Sequence, residues 1–103
     1  MNEKQQATNM EVIRLLRQAS KTFEERNRVY GANWRRVGPV MSALFDGLPV
    51  TLRTPEEFEM WHLFELIVVK VTRFATSGLR HKDSIHDIMV YAAMIEALLE
   101  EQK

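Results

Sequence analysis

TPEEFEMWHLFELIVVKVTRFATSG, Thr54 to Gly78, is the stretch on which the fold turns. It opens with Thr54-Pro55-Glu56-Glu57. Thr is a good N-cap, Pro fits the first helical position, and Glu57 is spaced to complete a capping box. Ser77-Gly78 ends it. From Phe64 to Val71 the residues are nearly all apolar, with only Glu65 and Lys70 charged. The spacing predicts a helix to about Thr76 that is apolar on most of its circumference and therefore central.

A second such helix follows, from Lys82 or Asp83 to about Glu100. Upstream, Asp46-Gly47 and Pro49 mark a loop. Before it, Asn33 is placed to cap a short helix running to about Phe45. Pro39 lies inside that segment, so the helix is either kinked or starts later than Asn33. The first helix spans about Asn9 to Arg28. Ile13, Leu16, Ser20, Phe23, Asn27 and Tyr30 follow alternating three- and four-residue spacing, and Val12, Leu15 and Ala19 widen the stripe. Glu11, Arg14, Gln18, Lys21 and Glu25 lie on the other side. Gly31 stops this helix.

The expected fold is all-α, a small four-helix bundle-like domain. Residues 9–103 form the single domain, and residues 1–8 are a flexible polar tail. Two helices apolar on most sides are hard to cover with two short ones, so a homo-oligomer is expected to share this core.

The bulk numbers narrow the function. The 103 residues are 46% hydrophobic and 27% charged, with formal net charge +0. Zero net charge argues against a dedicated duplex-DNA binder. There is no Cys, hence no disulfide, thiolate nucleophile or Cys-ligated zinc. That fits a reducing cytoplasm. No apolar run approaches the roughly 20 residues of a membrane span, and the polar N-terminus has no signal-peptide core.

Chemistry concentrates in a few places. On the third helix Glu59, His62, Leu66, Lys70 and Arg73 fall within one stripe. On the fourth, Asp83, Asp87, Val90, Tyr91 and Met94 share a face, with His86 beside them. Lys70 and Asp87 need partners, a cavity or solvent. They form either an ion pair that fixes helix register, or a cleft. In the cleft, Asp83 and Asp87, one turn apart, would share Mg²⁺, and Lys70 and Arg73 would hold phosphate oxygens. Asp83 is also a good first-turn residue for its helix. His62, His81 and His86 have no zinc-type spacing, and the four Gly form no phosphate loop.

RVYGANWRRV, Arg28 to Val37, holds Tyr30, Gly31, Asn33, Trp34, Arg35 and Arg36. One reading is a helix–helix corner plugged by Tyr30 and Trp34. The other is a surface on which Tyr30 and Trp34 stack a base and Arg35 holds phosphate. Seven basic and three acidic residues between Glu11 and Arg36 favour an anion near this corner.

Three blocks carry a resemblance: NRVYGANWRRV (Asn27–Val37), LIVVKVTRF (Leu66–Phe74) and DSIHDIMVYAAMIEALL (Asp83–Leu99). In this order they resemble small bacterial and phage domains called nucleotide modification associated domain 1, and related uncharacterised phage proteins. The matching positions are Tyr30, Gly31 and Trp34; Lys70 and Arg73; Asp87, Ile88, Tyr91 and Ala92. A more distant likeness is to the all-alpha NTP pyrophosphatases of the MazG type, which hold Mg²⁺ with ExxE and ExxD pairs. This chain has Glu56-x-x-Glu59, and Asp83-x-x-x-Asp87 with spacing four rather than three.

The resemblance implies a phage-type helical protein of the bacterial host cytoplasm that binds a nucleotide or nucleotide-derived ligand. The expected ligand contacts are Tyr30, Trp34, Arg35, Lys70, Arg73, Asp87 and Tyr91. A metal-dependent phosphohydrolase with Mg²⁺ on Asp83 and Asp87 is the enzymatic version. The alternative is a non-enzymatic oligomeric module that binds a host protein.

Overall fold

In a computed structural model, residues 2–31 and 33–102 are described, apart from the side chains of residues 29 and 30. Among them there are four α-helices and no strand. The helices are α1 (Glu3–Tyr30), α2 (Val37–Leu44), α3 (Pro55–Thr76) and α4 (Lys82–Glu101), with a 3-10 turn at Asn33–Arg35. The chain is all-α, as its periodicity predicts. It divides into two units after Gly31.

The first unit is α1. It begins at Glu3, not near Asn9, so residues 3–8 continue the helix where a tail was expected. The cause is a capping box outside the apolar pattern. Asn2 Oδ1 accepts from the Gln5 N–H at 2.8 Å, and the Asn2 N–H donates to Gln5 Oε1 at 3.3 Å. Gly31 ends α1 with φ 62°, a conformation that side chains with a Cβ disfavour. Along the apolar stripe Val12, Ile13, Leu16 and Phe23 are all exposed.

The second unit is built on α3. Thr54 caps it as expected, its Oγ1 accepting from the Glu57 N–H at 3.1 Å. Glu57 closes the box one residue early: its Oε2 accepts from the Arg53 N–H at 2.8 Å instead of from the cap residue. α4 packs along α3 in an antiparallel hairpin and forms the main helix contact of this unit. Its inward stripe is Ser84, Asp87, Ile88, Tyr91, Ile95 and Leu98, the three- and four-residue spacing of a helix face. α2 starts at Val37 rather than Asn33. Pro39 therefore falls in the first turn, where its missing N–H breaks no helical bond. At the end of α2, Phe45 packs on α3, with ring centroids 5.3 Å from Trp61 and 5.7 Å from Phe64.

Few of the described side chains are fully buried. Among the described residues, Val68, Thr72, Ser84 and Asn33 are buried. The buried Thr72 and Ser84 are satisfied within a turn of their own positions. Thr72 Oγ1 donates to the Val69 carbonyl at 2.7 Å, and Ser84 Oγ lies 2.6 Å from His81 Nδ1. No helix among the described residues is long and apolar enough to cross a membrane.

Candidate functional site

The C-terminal half of α3 carries Lys70 and Arg73, and the segment from Asn33 to Arg36 is tied to its last turn. Lys70 faces α4, and its Nζ lies 3.0 Å from Asp87 Oδ2. Both helices are required, since α3 supplies the cation and the inward stripe of α4 supplies the carboxylate. The hydrogen bond from the Lys70 ammonium holds the Asp87 carboxyl below the usual carboxylate range. Partial burial opposes this, while the charges of Lys70, His86 and His81 assist it. Tyr91 is half-buried one turn beyond Asp87 on the same stripe. Arg73 is half-buried one turn beyond Lys70.

Two turns past Lys70, Thr76 holds the 3-10 turn. Its Oγ1 lies 3.0 Å from Asn33 Oδ1 and 2.8 Å from the Thr72 carbonyl, and shares its one proton between them. It also accepts from the Arg36 guanidinium at 3.2 Å. The segment containing Trp34, Arg35 and Arg36 is thereby fastened to the end of α3 that carries Lys70 and Arg73. Residues 70–76 of α3 span about 9 Å. Trp34 is 64% exposed, and the Arg35 guanidinium carbon stands 5.7 Å from the centre of its ring, within cation–π range.

Tyr30 is the last residue of α1, but its side chain lies outside the described residues. Asp83 is exposed in the first turn of α4, where its charge favours the helix N-terminus. Among the described residues there is no group of three or more His, Asp or Glu drawn together as a metal cluster would be. Of the two carboxylates expected to hold a cation, Asp87 is bound to Lys70.

Thr76 carries no signal in the sequence, and Asn33 has a role other than the expected cap. Asn33 is buried and works as a tertiary acceptor, not as the cap of a helix. A Thr at the end of an apolar helix gives no local sign that its hydroxyl bonds a residue 43 positions earlier. The turn joining α3 to α4 was also invisible as a network. Ser77 Oγ accepts from the Arg80 and His81 N–H groups at 3.1 and 2.9 Å, and donates to the Phe74 carbonyl at 2.8 Å.

No family model, curated protein or solved structure matches the chain.

Proposed function

We propose that this is a phage-type helical protein that self-associates in the bacterial cytoplasm and binds a nucleotide or nucleotide-derived anion at the C-terminal half of α3. One observation carries the reading: the Asn33–Thr76 contact joins the Trp34-Arg35-Arg36 segment to the helix end that bears Lys70 and Arg73. An aromatic plate and several cations on one helix end suit a ligand with a planar base and phosphates. In this reading Trp34 stacks the base. Arg35, Lys70 and Arg73 hold phosphate, and Asp87 with Tyr91 orients Lys70. If the ligand is turned over, the reaction class is metal-assisted phosphoanhydride hydrolysis, with Mg²⁺ on Asp83 and Asp87. That step requires Asp87 to exchange Lys70 for the cation.

The test is a thermal melt against nucleoside mono-, di- and triphosphates and cyclic dinucleotides, with and without Mg²⁺. A ligand that binds the folded state raises Tm by mass action, about 2.7 kcal/mol of stability at a hundred times its Kd. A rise for one ligand class supports the reading. A flat panel sinks it.

A second reading, a non-enzymatic module that binds a protein partner, has its own support. The Lys70–Asp87 pair accounts for both charges without a ligand. Met10, Leu16 and Phe23 also expose 71%, 65% and 53% of their surface on α1. A flat panel favours this reading.

A further inference from the structure

The outer face of α4, opposite the stripe that packs on α3, has an ordered composition. At about 100° per residue, Lys82, Ile85, His86, Met89, Ala93, Glu96, Ala97 and Glu100 lie on it. All are exposed. The order along the helix is basic, then apolar and small, then acidic. This runs against the helix macrodipole, which favours acids at the N-terminus and bases at the C-terminus. The last turn of α4 contains no basic residue, and Lys82 opens the first. Asp83 supplies the first turn with an acid from a neighbouring face, and on the outer face itself the charge order is the reverse of the one the dipole favours.

We infer that this face is a twofold interface with a second copy of the same chain, α4 antiparallel to α4. Put the twofold axis between Met89 and Ala93, and every opposed pair is complementary. His86 meets Glu96 of the second copy and Lys82 meets its Glu100. Met89 meets Ala93, and Ile85 meets Ala97. Large against small lets the two helices approach closely. Lys82–Glu100 ion pairs and His86–Glu96 hydrogen bonds close both ends, and antiparallel pairing repeats each contact twice, as an isologous interface must. A parallel arrangement would put Glu96 on Glu96 and Met89 on Met89. The apolar centre supplies the burial, and the charged ends set direction and register.

The inference rests on the self-association part of the reading above, and is separate from the ligand. Asp87 and Tyr91 lie on the other side of α4.

The chain has no Cys, so crosslinks report register directly. The Met89→Cys/Ala93→Cys double variant should oxidise to a covalent dimer whose disulfides, mapped by mass spectrometry, join position 89 to position 93. In sedimentation velocity the unmodified protein should be a dimer, and Ala93→Arg a monomer with unchanged helical circular dichroism. His86→Glu and Glu96→Lys should each raise the dimer Kd about tenfold, and the two together should restore it. The charge swap keeps the test valid should Ala93→Arg not fold. A monomeric unmodified protein overturns both this surface and self-association. A dimer indifferent to Ala93→Arg and to the charge variants, or one crosslinked 89 to 89, overturns this surface alone. Any nucleotide-induced rise in Tm should survive in Ala93→Arg, so the ligand reading stands or falls separately.

Discussion

Lys70 on α3 and Asp87 on α4 meet at 3.0 Å, with 15% of the lysine side chain and 37% of the aspartate side chain exposed. The lysine buries its stem between the helices, and the carboxylate keeps one side in water. The pair is thus neither a fully buried ion pair nor a surface one, and this decides what its loss should do.

Lys70→Met keeps the apolar stem and removes the charge. Asp87 then turns to water instead of being stranded. The expected result is a fall in Tm of only a few degrees, below what breaking a fully buried pair would give. A nucleotide-induced rise in Tm should disappear in the same variant. If that rise persists undiminished, Lys70 is not a ligand residue.

Asp87 also gives the fold an acid sensitivity with a defined sign. Its carboxyl is held below the usual value by Lys70, so the unfolded chain takes up the proton first as pH falls. Its stabilising contribution is full above the ordinary aspartate value of about 3.9. It is lost as pH falls through the lower folded value. Melts of the native chain and of Asp87→Asn, from pH 7 to pH 2, should differ most at neutral pH and converge in acid. A constant gap across that range would refute the linkage.

Asn33→Ala removes the buried acceptor of the Thr76 hydroxyl. The expected loss is about 1–2 kcal/mol, and each kcal/mol lowers Tm by about 4–8 °C in a domain this size. Thr76→Val should give a similar loss, and the double variant should lose less than the sum. Additive losses would show that the two side chains do not act together.

Leu79 has φ 66° and is 68% exposed. A non-glycine residue in this region is strained by about 1–2 kcal/mol, and the exposed side chain offers little burial in return. Leu79→Gly relieves the strain but loosens the unfolded chain by about 0.4–1 kcal/mol. The net expectation is a gain of about 0–1.6 kcal/mol, read as a rise in Tm. A fall would mean that the leucine side chain is held by contacts beyond those of the isolated chain.

Local signals were legible where the chemistry is local. Thr54 and Pro55 fix the start of α3, Ser77 follows its last residue, and Gly31 follows α1. Each acts through its own backbone or a partner within a few residues. The start of α1 was missed because polar residues mark it, not apolar period. The split before α2 is a matter of Pro39, which permits two starts; the structure takes the later one.

The site was only partly legible. Lys70 and Asp87 were recognisable as charges that needed partners, and pairing was one of the two readings. The fastening of Asn33 and Arg36 to Thr76 was not visible, because nothing at either end announces the other.

By itself the sequence determined the helices: where all four end to within two residues, which residues share a face, and that little else than an all-α fold can satisfy so many apolar positions at helical spacing. Those properties depend on hydrogen bonds and side chains within one or two turns. The tertiary structure decided which helix supplies each partner. Lys70 reaches Asp87 only because the hairpin turn after Thr76 brings α4 back along α3. Asn33 reaches Thr76 only because α2 and the loop after it return the chain to α3. Such contacts form only when loops close and helices pack together, and no short window of sequence contains both ends of that event.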